Sequence, residues 1–282
     1  MYKQISAFDA NAWREIAFEN PTSLIIAVGL VYFNIWIVYY QWSITLNVVV
    51  PNTSKQIKHH SFFAGLVTGM LTPNMIGNFI GRFYYFERIH RVPVILFTLL
   101  CNYAQFLASI VFGWIAIVLA GELYVIPDSS VLIPILGVLA VIAIAFYFFI
   151  DLLLPKLRKK SYFYSFKEVL SKNPSYRWKI VGLSLLRFMV FTSQFSLVLH
   201  AFGVEITGEI ILGIWQVYLV TMFAPSLILG KIGVKESIAL FVLVGLGVNE
   251  FAVLFTSLII WFINSLSPAL LGLAICKNRN HV

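Results

Sequence analysis

The chain has 282 residues, of which 60% are apolar and only 11% charged, with a formal net charge of +8. Soluble domains carry about 25% charged and about 45–50% apolar residues, so this chain has too little charge to cover a water-facing surface. Disorder and collagen-like structure are excluded by the same figures, and the length suffices for one compact domain.

Residues 1–20 are polar (Asp9, Arg14, Glu15, Glu19) and lack the apolar core of a signal peptide. They are expected to lie along the membrane surface as a short helix capped near Asp9, with Pro21 opening the first span. About 20 apolar residues in helical form cross the hydrocarbon core. Blocks of that length predict spans at roughly 22–45, 92–120, 131–154, 180–203 and 249–272. Between Val92 and Ile150 the formal charges are Glu122 and Asp128 alone, both in the polar break Gly121–Ser130. Between Ser237 and Ile275 Glu250 stands alone. The blocks are continuous rather than alternating, which predicts a helical bundle and not a barrel. The expected fold is an all-α polytopic membrane protein, a single integral membrane domain with about five full spans.

Two further apolar stretches, 61–90 and 206–248, are broken by Pro, Gly and charge. In the first, the run to Leu71 ends at Thr72-Pro73-Asn74, followed by Gly77, Gly81, Arg82, Glu87 and Arg88. In the second, Met222-Phe-Ala-Pro225 leads to Gly230, Lys231, Gly233, Lys235 and Glu236. Proline removes a backbone donor and disfavours helix at the residue before it. The two stretches read as imperfect copies, with Met70 and Met222 each three residues before the proline and each copy preceding a long span. Paired Gly/Pro-broken segments in corresponding halves point to a transport site. The expected arrangement is two re-entrant helical hairpins in an inverted repeat, 22–130 forming one half and 180–275 the other. Two short full crossings at 206–248 give the same parity.

Charge placement argues against nucleic acid as partner. Eight of the 20 Lys and Arg lie between Lys156 and Lys179, in the loop that closes the segment 131–179 after its linking span at 131–154. The positive-inside rule puts this loop (155–179) on the cytoplasmic side, with the C-terminus at Lys277 and Arg279. It could also hold anionic headgroups there. Cys101 and Cys276 imply neither a disulfide framework nor a metal site. No cofactor motif is present, and no acid/base pair supports an intramembrane transferase.

A charge at mid-membrane is costly and usually lines a cavity or pairs. Arg82, Lys231 and Lys235 flank the two breaks, and they either grip a lipid phosphate from the two faces or snorkel to the headgroups as anchors. Asn74 and Asn78 bond a headgroup or satisfy backbone freed by Pro73. Asn102, Gln105 and Gln194 are expected to join helices. Arg187 is expected to begin near the cytoplasmic face and pair with Asp151 or a phosphate. Tyr84 and its aromatic neighbours fit an interfacial belt.

The string from Leu71 through Pro73, Gly77, Asn78 and Arg82 resembles the first signature of the lysylphosphatidylglycerol synthase transmembrane-region (flippase-like) family. Pro225 to Gly230, Gly233 and Lys235-Glu236 resemble its later one, and Ser184 to Arg187, with Gln194 and Gly203, is similar to the helix between. Met75 stands where the family has arginine and Asn78 where it has glutamate. The family's usual first span is not expected in residues 1–20, and no aminoacyl-transfer domain is expected with this chain. The resemblance implies a bacterial inner-membrane protein that flips a phospholipid or glycolipid, anionic or zwitterionic. The alternative it leaves open is a non-catalytic subunit presenting lipid to a separate synthase or glycosyltransferase. A homo-oligomer is also open.

Overall fold

The computed structural model describes residues 18–72, 75–126, 129–153, 162–224 and 233–277. The predicted breaks at Pro73, Asn74, Pro225, Gly230 and Lys231, and the N-terminal segment capped near Asp9, lie outside the described residues. Five helices are long and apolar enough to cross a membrane: α1 (Pro21–Val49), α4 (Arg88–Ala120), α5 (Leu132–Leu153), α7 (Pro174–Ala201) and the continuous run Glu250–Lys277. That run comprises α10 (Glu250–Trp261), a π-helical turn (Phe262–Leu266) and α11 (Ser267–Lys277). Shorter helices are α2 (Lys55–Met70), α3 (Gly77–Phe83), α6 (Tyr162–Lys172), α8 (Gly208–Phe223) and α9 (Val234–Gly245). The chain is an all-α polytopic membrane protein. Each expected span is present, but α7 begins at Pro174 and α4 at Arg88, earlier than the apolar blocks alone suggest.

The bundle is organised on α1 and α7, which run antiparallel. Asn20 donates from its backbone N–H to Ala201 O and from its side chain to His200 O, joining the start of α1 to the end of α7. Further along, Gln194 Nε2 donates to Ala27 O (3.0 Å), Gln41 Nε2 to Ser184 Oγ (3.0 Å), and Thr45 Oγ1 meets Tyr176 OH (2.9 Å). Lipid tails are as apolar as leucine, so burying apolar side chains gives helices little drive to associate there, and such bonds supply part of the adhesion. The expectation that Gln194 joins helices therefore holds. Asn102 does not do so, being exposed, and Gln105 Oε1 is buried with no bonded partner.

The two broken stretches form hairpins that enter from opposite faces. In the first, α2 and α3 pack so closely that Gly77 faces the Thr68 carbonyl and Gly81 that of Ala64. Thr68 Oγ1 donates to Gly77 O (2.6 Å), and Thr72 Oγ1 accepts from Gly77 N–H (2.6 Å). At 16 and seven residues, α2 and α3 reach only about 24 and 10 Å at 1.5 Å per residue, too short to span. In the second hairpin α8 and α9 are antiparallel, with Gly213 near the mouth against Leu243 and Leu246. Gln216 fixes α8 to the break after α4, donating to Glu122 O and accepting from Tyr124 N–H.

On the face carrying the basic loop, Arg177 pairs with Asp151 (2.6 Å) and also donates to Phe148 O. Arg177, not Arg187, is thus the partner of Asp151. The earlier start of α7 explains the difference, because it places Arg177 at the helix entrance and carries Arg187 deep into the bundle.

Candidate functional site

Three polar residues mark the middle of the bundle. Asn34 is the fourteenth of 29 residues in α1, Arg187 the fourteenth of 28 in α7, and Asn264 lies midway along Glu250–Lys277 within the π turn. They are bonded together. Arg187 Nε donates to Asn34 Oδ1 (3.2 Å), Asn34 Nδ2 to Asn264 Oδ1 (2.7 Å), and Asn264 Nδ2 to Gln194 Oε1 (3.1 Å). A π turn carries one residue more than an α turn and recurs at functional sites. Here it brings Asn264 to a point where one amide meets both α1 and α7. Replacing Asn264 with leucine leaves Asn34 Nδ2 and Gln194 Oε1 without these partners. The expected cost is about 1–3 kcal/mol, read as a fall in the unfolding temperature of the detergent-purified protein.

The basic residue of the first hairpin, Arg82, is 6% exposed. Its guanidinium lies over the Trp42 ring at 4.6 Å and near Phe62 at 5.8 Å, and Trp42 is held by bonds from Nε1 to Lys58 O and Ser61 Oγ. Gly65 makes the space, since a Cβ there would come within 2.7 Å of Arg82 Cγ. Arg82 therefore does not snorkel. Glu87, the next carboxylate along the chain, is exposed and forms no ion pair with it. Arg82 Nε and Asn78 Oδ1, one helical turn apart on α3, are buried with no hydrogen-bond partner. Arg82 and Arg187 lie within electrostatic reach of each other. Among the described residues neither Arg82 nor Arg187 is paired with a carboxylate; the ion pairs there include Lys172–Glu168 and Arg177–Asp151.

Lys235, on the first turn of α9, points its ammonium at Tyr218 OH (3.1 Å) and lies over the Tyr218 and Phe195 rings at 4.6 and 5.1 Å. Glu236 beside it is committed to the helix start, its Oε2 accepting from Gly233 N–H at 2.6 Å. Gly233 adopts φ +84°, the left-handed region that suits glycine. A cavity of about 100 Å³ opens here, lined by Lys235, Glu236, Phe191, Tyr218 and Asn264 among others. Arg187 stacks on Phe191 from the other side at 4.8 Å. Phe191 thus carries Arg187 and also lines the cavity that Lys235 borders.

The structure brings together Arg82, Asn78, Arg187, Lys235 and Glu236 from the predicted set. Sequence reasoning missed Trp42, Asn34, Tyr218 and Asn264. A lone amide inside an uninterrupted apolar block was the available signal for Asn34 and Asn264. Comparison with protein-family models, with curated proteins and with solved structures finds no match.

Proposed function

We propose that this protein is a flippase-like transporter that moves the headgroup of an anionic or zwitterionic phospholipid or glycolipid between leaflets. The observation that carries the reading is the pair Arg82 and Arg187: two guanidinium groups inside the bundle, Arg82 buried and Arg187 half-buried, neither with a carboxylate among the described residues, at a depth where an unpaired charge is costly. A phosphate entering between them supplies the missing counter-charge, and guanidinium grips phosphate through two parallel N–H bonds. Lys235 supplies the next positive point toward the second hairpin. The motif resemblance supports the same reading, and together with the positive-inside rule it favours a cytoplasmic basic loop and C-terminus in a bacterial inner membrane.

The cavity beside Lys235, at about 100 Å³, holds a phosphate-sized group and not a whole headgroup. Passage therefore requires α7 and the second hairpin to part near Phe191 and Tyr218. The small cavity also favours a second reading, a non-catalytic subunit that holds lipid for a separate synthase or glycosyltransferase. Proteoliposomes with fluorescent lipids of several headgroups test the choice. Exchange above protein-free controls is expected for at least one phosphate-bearing lipid. Lipid that is bound but not exchanged supports the second reading, and a chemically modified lipid in mass spectra points to a transferase.

A further inference from the structure

A second cavity, about 620 Å³, opens to the membrane between α7 and α8 and runs from Met189, half a turn from Arg187, to His200 at the end of α7. Its lining combines apolar side chains (Leu197, Ile211, Trp215) with polar ones, Thr192, Ser193, Ser196 and His200 on α7 and Glu205 beyond it.

The polar part of the lining has a definite sense. Thr192 Oγ1 donates to the carbonyls of Phe188 and Met189 (3.1 Å each), and Ser196 Oγ donates to Thr192 O at 3.1 Å. Their hydrogens are spent on the helix backbone, which leaves their oxygens only as acceptors. His200 Nδ1 lies 3.3 Å from Val204 O, which must accept, so neutral His200 presents Nε2 as an acceptor. Glu205 is exposed and an acceptor when ionised. Ser193 is exposed to the groove and keeps a rotatable hydroxyl. The bonded hydroxyls of Thr192 and Ser196, His200 Nε2 and Glu205 accept, whereas the Arg82–Arg187 centre donates, so the two suit different parts of one headgroup. We infer that the α7–α8 groove docks a lipid headgroup that donates hydrogen bonds, through a primary ammonium or sugar hydroxyls, from the leaflet opposite the basic loop. Trp215 and its apolar neighbours face the acyl chains. The inference rests on the transport reading for its place in a cycle, but docking is measured at equilibrium without any translocation.

The test is native mass spectrometry of the full-length protein with matched lipids. Phosphatidylethanolamine is compared with phosphatidylcholine of the same chains, and glucosyl-diacylglycerol with its permethylated counterpart. Methylation removes the donors and leaves the rest of the lipid. At least one donor-bearing lipid should bind about tenfold more tightly than its methylated partner, the loss of one or two hydrogen bonds. The S193L/S196L double variant should abolish that preference. A preference for the ethanolamine lipid that weakens in Glu205→Gln supports an ammonium ligand, and one for the glucoside indifferent to Glu205→Gln supports a sugar. If the double variant does not fold, Ser193→Val alone, at an exposed position, gives the same reading. Equal binding of parent and methylated lipids overturns the proposal, as does a preference that survives the groove substitutions. Lack of exchange in proteoliposomes bears on the transport reading and leaves this binding result intact.

Discussion

Replacing Arg82 or Arg187 with glutamine should lower exchange of phosphate-bearing lipids by roughly ten- to a hundredfold, the equivalent of one charge-assisted contact at about 1.5–3 kcal/mol. Stability should move the other way or not at all. An arginine that exists to hold a fold leaves an orphaned carboxylate when removed, and the protein weakens. Arg82 has no carboxylate partner, and its Nε is buried without a bond. Neutralising it removes an uncompensated charge from the bundle, at the loss of its contact with Trp42. The unfolding temperature of Arg82→Gln in detergent should therefore be equal to wild type or higher. A large fall in both exchange and unfolding temperature would instead mark Arg82 as part of the scaffold. Arg187→Gln loses its bond to Asn34 as well, so its stability gain should be the smaller of the two.

The other large effect is purely mechanical. Alanine at Gly77 or Gly81 puts a methyl group into the backbone of Thr68 or Ala64 on the facing helix. Backbone cannot rotate aside as a flexible side chain does, so α2 and α3 must separate. The cost should be about 2–3 kcal/mol, the upper range for overpacking. Circular dichroism or a thiol-reactive melting assay would read this as a drop of roughly 5–10 °C for a domain of this size. Gly29 and Gly182, where an added Cβ meets nothing within 4 Å, are the controls. Alanine there should be neutral or stabilise by up to about 1 kcal/mol through helix propensity. Because Arg82 sits on the displaced helix, the Gly77 and Gly81 variants should also lose exchange activity.

The spans were legible because a lipid-facing helix is apolar on nearly every side, and α5 shows this in its string of exposed Ile, Val, Leu and Phe. The hairpins were legible because proline and glycine have no cheap place inside a straight membrane helix. What the chain conceals is the depth of each polar residue. Arg187 was expected at the membrane surface because hydropathy places a helix start at its first apolar residue. Here Pro174 starts α7 six residues before that block, on a stretch containing Arg177 and Lys179. Arg82 read equally well as an anchor or a ligand. The choice turned on Trp42, forty residues away, and on Gly65, whose missing side chain leaves room for the guanidinium. Neither contact has a local signature, because each is made by helices that meet only after the bundle has assembled.

The π turn at Phe262–Leu266 has a geometric corollary for the far end of the molecule. One extra residue in a turn advances everything beyond it by about 100° of rotation and 1.5 Å of rise. Gly272, on α11, meets Phe63 and Val67 of the first hairpin because of that offset. Deleting one residue from the turn would straighten the helix into a plain cylinder and swing Gly272 off its neighbour. The rotational phase of α11 against α2 is thus written at Asn264, mid-bundle, in the bonded set that includes Arg187. A group that pulls Asn264 out of its bonds acts on the same screw that seats the first hairpin.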